Sequence, residues 1–319
     1  MTERENLLTA LGGGTPRWIP DFSVATDMRV CSAVRDRYDG RGGGCDSYGV
    51  HWTTDEKTGQ PTPTPGLKRL PDITRWREES LFPDLSGVDW VATAEQDLRG
   101  VDPTERAFAL LQPFGLFERL HCLMGFEDAF CNFHEQPEAM HELIDAIVDF
   151  KVAVLEKVLP LYRPDVVEYM DDWGSEGAPF FSMDLFDEFL RPGTQRIVDV
   201  VHAHGARFLM HCDGKVEAFV PAMVEMGVDA WNPCQVMNDV RGLKTRYQNR
   251  LAFFYGLDNQ GVLDREGVTE AELRQEVRRA IDELAPGGGF AIQPSFVRDD
   301  PWAMKILNDE IRIHGGAPA

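Results

Sequence analysis

The sequence predicts an α/β protein built as a (β/α)8 barrel of TIM type. It reads as one domain over residues 1–319, with long loops in its N-terminal third. Three observations predict this. From about residue 139 onward, strand-like and helix-like segments alternate at least five times. The strand-like runs are apolar throughout, as in a parallel sheet covered by helices. Run after run ends in a carboxylate, amide, imidazole or thiol, at the strand ends where such a barrel carries its chemistry. A doubly wound open sheet is the second choice. Its glycine-rich turn follows the first strand, whereas "ALGGGTP" precedes the first strand here.

The elements follow in order. "RWIPDF" (17–22) reads as the first strand. Residues 40–100, rich in Gly, Pro, Asp and Thr, read as long loops over one end. "RAFALLQ" (106–112) is the next strand, and residues 134–162 form a long amphipathic helix. "DVVEYM" (165–170) is a strand. Residues 183–205 have helical spacing around a proline break and stop at Gly205. "RFLMH" (207–211), "VDAWN" (228–232), "LAFFYG" (251–256) and "FAIQPS" (290–295) are strands separated by helical segments. The clearest helix spans 269–289, with a Thr cap and a glycine terminus. A last helix begins at "PWAMK".

With 319 residues, 43% of them hydrophobic, the chain can bury a core that needs no disulfide or structural metal. A formal net charge of −21 disfavours nucleic acid and anionic membrane as partners. The N-terminus shows no signal peptide, and no apolar run reaches the roughly 20 residues of a membrane span. Cys31, Cys45, Cys122, Cys131, Cys212 and Cys234 have no paired spacing and read as reduced thiols of a cytoplasmic protein. A homodimer stays open, since the sequence does not set the oligomeric state.

The candidate chemistry lies just past the strands. "FLMHCDGKV" (208–216) places His211, Cys212 and Asp213 in series. On an extended strand His211 and Asp213 share a face, and Cys212 turns toward the helices. Asp171 and Asp172 follow "VVEYM", and burial of one beside the other would raise a pKa. Cys234 and Gln235 follow "VDAWN", Asp258 follows "LAFFYG", Gln293 follows "FAI", and Glu118 follows "RAFALLQPFG". Each also has an ordinary reading: a polar residue past a strand caps the next helix, and Cys234 is first a buried apolar cysteine. Five polar strand ends in series are harder to assign to caps alone.

These residues, with "LLTALGGGTPRWIP", "DSYGVHW" (46–52), "PFGLFERLHCLMGFEDAF" (113–130), "DDWGSEGAPFFSMDLFDEFLRP" (171–192) and "PGGGFAIQPS" (286–295), resemble the uroporphyrinogen decarboxylase superfamily over nearly the whole chain. That superfamily includes corrinoid-linked methyltransferases. The resemblance implies a barrel with a deep pocket at its C-terminal mouth. True uroporphyrinogen decarboxylases carry an Arg-rich stretch after the first strand, where "DFSVATDMRV" offers only Arg29; a substrate with many carboxylates needs several basic partners. The methyltransferase branch activates a thiol on zinc held by His-x-Cys and a late Cys. Here Asp213 stands in place of the first Cys, and the late position falls near Phe296.

The resemblance therefore implies an uncommon member of the methyltransferase-like side. It would move a methyl group between a small methylated compound and a separate corrinoid protein or a thiol. Zinc would be held by His211, Asp213 and Cys234. Asp171, Asp172, His211 and Asp213 would do the acid–base or ligand work, and Glu118, Gln235, Asp258 and Gln293 would bind substrate. The alternatives are a metal-free decarboxylase or lyase of a small carboxylate, drawing on Arg29, Arg119 or Lys215, and a non-catalytic binding protein on the same scaffold. Each makes a different demand on the cavity: metal ligands, a free cation, or a filling of apolar side chains.

Overall fold

A computed structural model describes residues 1–38, 42–55, 59–247, 249–295 and 300–317. Its centre is a seven-stranded, wholly parallel sheet, neighbours in the order β1 (Thr26–Arg29), β5 (Ala107–Gln112), β6 (Val166–Met170), β7 (Arg207–His211), β8 (Ala230–Asn232), β9 (Ala252–Phe254) and β10 (Phe290–Ala291). Three short strands, β2 (Gly44–Cys45), β3 (His51–Thr54) and β4 (Pro61–Pro63), make a separate antiparallel sheet. The sheet's two edges meet at one parallel bridge, Asp21 to Ile292. There the Phe22 N–H donates to the Ile292 carbonyl at 2.8 Å and the Ile292 N–H to the Pro20 carbonyl at 2.9 Å. The architecture is thus α/β and barrel-like, with seven strands in the parallel sheet among the described residues where eight are expected.

The missing strand has a local cause. "RWIPDF" contributes only that bridge, because Pro20 has no N–H to give a ladder. The Asp21 carboxylate accepts the Ser23 N–H and starts a short helix, α2 (Phe22–Ala25), before β1 begins.

Period-two side-chain alternation divides the core in two. Ala107, Ala109, Val166, Leu209, Ala230 and Ala252 point inside the sheet's curl. There they meet Leu7, Ala10 and Leu11 of α1 (Glu3–Leu11), which plugs one end. The alternate residues, among them Phe108, Val167, Phe208, Cys212 and Trp231, face the outer helices. Those helices are α3 (Trp90–Asp97), α4 (Leu116–Met124), α5 (Phe126–Glu135), α6 (Pro137–Tyr162), α7 (Met183–Leu185), α8 (Arg191–Ala203), α9 (Val220–Met226), α10 (Val240–Tyr247), α11 (Glu270–Leu284) and α12 (Pro301–His314). None is long and apolar enough to cross a membrane. The expected break near Pro192 is a π-turn over Phe186–Leu190, after which Pro192 sits in the first turn of α8, where a missing N–H is tolerated. Residues 40–100 correct the loop expectation. They hold β2–β4, a 3-10 turn at Ile73–Arg75 and α3.

Candidate active site

The site stands where the barrel interior changes from apolar to polar. Register places Met170 beside His211, and His211 beside Asn232. Two residues beyond Val166, Leu209 and Ala230 of the apolar interior come Glu168, His211 and Asn232, on the same faces. The loops past β6 and β7 add Asp172 and Asp213.

One ligand atom each from Asp172, His211 and Asp213 lies within 4.8 Å of the others. The His211 imidazole Nε2 lies within hydrogen-bond distance of Asp213 Oδ2, at 3.2 Å. The Asp213 N–H donates to Asp172 Oδ1 at 2.8 Å, tying the two loops together. Next along, the Gly214 N–H donates to Gln235 Oε1 at 2.6 Å. Gly214 has φ +94°, and a side chain there would overlap the Gly174 carbonyl. Only glycine lets these loops pass so closely and hold Asp213 over the cavity.

Charge is the site's second feature. Burial, then the nearby Asp213, pushes Asp172 up to about 6. Burial, then Asp172 and Asp171, holds Glu118 well above the usual carboxylate range. Burial works against a charged His211, yet the Asp213 and Glu168 carboxylates outweigh it and raise its pKa well above the usual value. Over Asp213 opens a cleft of about 330 Å³, whose polar lining among the described residues is Glu176, Asp213, Gln235, Asn259, Gln260 and Ser295.

The remaining expected residues divide. Asp171 is fully buried and turns away toward α4. Its carboxylate accepts the N–H groups of Phe117 at 3.3 Å and Glu118 at 2.9 Å, and the Trp173 indole N–H at 3.0 Å. It supplies the cap that Gly115, which begins α4, cannot. Burial pushes it up to about 6 in spite of these bonds. Asp258 accepts the Gly261 N–H at 2.8 Å and caps the turn over Asn259–Leu263. Gln293 keeps a buried Oε1 without a partner.

Cys234 corrects the expected ligand set. Its thiol donates to the Trp231 carbonyl at 3.3 Å, is buried in the outer core, and is pushed far above its usual pKa by that burial. Packed under the helices, the thiol lies outside the cluster that His211 and Asp213 form. Asp172 takes the third place in the cluster. The late position near Phe296 lies outside the described residues.

Of the candidate cations, Arg119 and Arg29 are hydrogen-bonded elsewhere and Lys215 is only loosely paired. Buried Arg119 donates to Asp46 Oδ2 and Asp36 Oδ1, each at 2.9 Å, under the Tyr48 ring. Arg29 donates to the Met28 carbonyl at 2.8 Å, and Lys215 lies 4.0 Å from Glu217.

Sequence reasoning missed Glu168 and Tyr255, and it gave Asn232, a polar residue at a strand end, no role. Glu168 carried a signal, a lone carboxylate inside an otherwise apolar strand. Asn232 Nδ2 donates to Glu168 Oε1 at 2.8 Å. Tyr255 is buried with φ +77°, a conformation that costs a tyrosine on the order of 1–3 kcal/mol. Burial, then Glu168 and Asp213, raises its phenol pKa.

One imidazole and two carboxylates fit a divalent cation of borderline hardness, zinc included. Buried His211 Nδ1 and Glu168 Oε2 have no hydrogen-bond partner, as expected of groups arranged around something further. The set lacks a thiolate.

No curated protein matches the chain. Among solved structures, it is similar to a methyltransferase from Methanosarcina mazei, with a TM-score of 0.68 at 14% identity over 98% of this chain and 99% of that one. Identity that low speaks for the fold alone. The sequence profile described as uroporphyrinogen decarboxylase (URO-D) matches residues 109–296, from β5 to just past β10. That is more than half of the chain, and it contains every cluster residue described above: the protein belongs to the uroporphyrinogen decarboxylase family.

Proposed function

We propose that the protein transfers a methyl group between a small methylated compound and a corrinoid carried by a separate protein, or from that corrinoid to a thiol. A divalent metal, zinc first, would be held by Asp172, His211 and Asp213. The observation that carries this reading is that three-residue cluster at the mouth of the barrel. The likeness to a methyltransferase over nearly the full length of both chains agrees with it.

When bound, the metal supplies Lewis-acid chemistry, lowering the basicity of a thiol or polarising the methyl donor's leaving atom. The chain's own residues do the rest. Gln235 fixes the loop that carries Asp213 by accepting the Gly214 N–H. Asn259, Gln260 and Ser295 offer donors and acceptors along the cleft. Glu118, whose carboxyl is held well above the usual range by burial and then by Asp172 and Asp171, would be the group to give a proton to a departing oxygen or nitrogen. A decarboxylase reading is less well supported, because among the described residues a substrate carboxylate would enter a cleft lined by the carboxylates Glu176 and Asp213.

Elemental analysis after zinc loading and dialysis tests the reading. About one equivalent is expected in the wild type and in Cys234→Ser, and none in His211→Ala or Asp213→Asn. Methyl transfer from methylcobalamin to a thiol, followed by absorbance, should depend on the same residues. Equal zinc in wild type and His211→Ala would end the proposal.

A further inference from the structure

We propose that Glu168 is the positioning residue of this site: it accepts the Nδ1 proton of His211 and so turns Nε2 toward Asp172 and Asp213. This rests on the reading of His211 as a working side chain of the cleft, and it assigns a role to a residue with no other one.

Glu168 lies on β6 and is nearly fully buried, at 3% exposure, inside the barrel where a carboxylate is costly. One of its oxygens, Oε1, is fixed by Asn232 Nδ2 at 2.8 Å and lies 3.6 Å from His211 Nδ1. At 3.6 Å the contact is an ion pair, longer than a hydrogen bond. His211 Nδ1 and Glu168 Oε2 consequently both stand buried without a hydrogen-bond partner. A small rotation of either side chain closes the gap, as when the Nε2 side gains its ligand and the ring is drawn into place. The register supports the arrangement. β7 lies between β6 and β8, so Glu168 and Asn232 flank the His211 ring from the two neighbouring strands. A carboxylate on the far nitrogen fixes a ring's tautomer and orientation and raises its basicity as a ligand.

Binding of Co²⁺, read from its visible spectrum, and the His211 ring N–H resonance in long-range ¹H–¹⁵N spectra test this together. Glu168→Ala should lower Co²⁺ affinity ~10–100-fold and abolish the downfield, exchange-protected Nδ1–H signal. Glu168→Gln keeps an acceptor oxygen, so it should retain that signal shifted upfield, with a smaller loss of affinity. If Glu168→Ala fails to fold, Glu168→Gln decides alone. A merely structural residue would lower the melting temperature and leave the resonance unmoved, and that result overturns the proposal. Should the wild type bind no Co²⁺, the metal reading fails by itself. The resonance in the metal-free protein then decides the role of Glu168, by the same shift or its absence.

Discussion

Asp171 and Asp172 are adjacent and have opposite duties. Asp171 accepts three N–H donors, two of them from the first turn of α4, and is sealed from solvent. Asp171→Ala leaves those donors buried and unpaired, which should cost about 3 kcal/mol, visible as a lowered urea midpoint. Asp172 has one backbone partner and faces His211 and Asp213. Asp172→Asn should change stability by less than about 1 kcal/mol while reducing zinc or Co²⁺ affinity ~10-fold or more. If both variants lose stability equally and neither affects metal, the division of labour is wrong. The sequence shows two neighbouring aspartates past a strand and cannot say which is which. What separates them is α4, whose N–H groups lie 53 residues earlier in the chain. Cys234 illustrates the same limit. Its spacing from His211 allows a ligand, but the direction of its side chain depends on the loop past β8. His211 and Asp213 were legible because alternation along a strand is a local rule.

Elements were readable in proportion to how local their causes are. In α11 the Thr269 side chain accepts the Glu272 N–H, and the Glu272 carboxylate accepts the Thr269 N–H. Leu273, Val277, Ala280, Ile281 and Leu284 then form the buried stripe. Every part of that description is visible in one stretch of sequence. Thr269→Ala should cost about 1 kcal/mol in thermal or urea unfolding, and Thr269→Ser should cost little; equal losses would show that the methyl group, not the hydroxyl, matters. Strands β2–β4 were not readable. They are two to four residues long and contain Gly and Pro. Their neighbourhood is held by distant partners, Arg119 of α4 reaching Asp46 across 73 residues and Asp36 across 83. The expected first strand failed for a reason of the same kind. Its apolar character was real, but Pro20 and the capping Asp21 limit it to one bridge.

At the scale of the whole molecule, two forces respond to acid in opposite directions. A net charge of −21 repels itself, and protonating surface carboxylates relieves that repulsion. Against this stands His121, set between the rings of Phe117 and Phe126 at centroid distances of 5.5 and 5.4 Å. Burial, then the neighbouring Arg119 charge, lowers its pKa from 6.5 to about 4. The folded protein therefore refuses a proton that the unfolded chain accepts between pH 6.5 and 4. By linkage the contribution of neutral His121 is intact above pH 6.5, is lost progressively as the pH falls, and changes no further below about 4. The slope is at most about 1.4 kcal/mol per pH unit, and less here because the ring is not wholly enclosed. His121→Phe keeps an aromatic ring among aromatic rings and cannot take up the proton. Urea midpoints of wild type and His121→Phe, measured from pH 7.5 to 4, should start close together and separate on acidification, with the variant the more stable. Effects of the surface carboxylates are common to both proteins and cancel in the difference. Parallel curves across that range would mean that the ring is protonated in the fold, and that the aromatic cluster beside α4 is more open to water than its packing indicates.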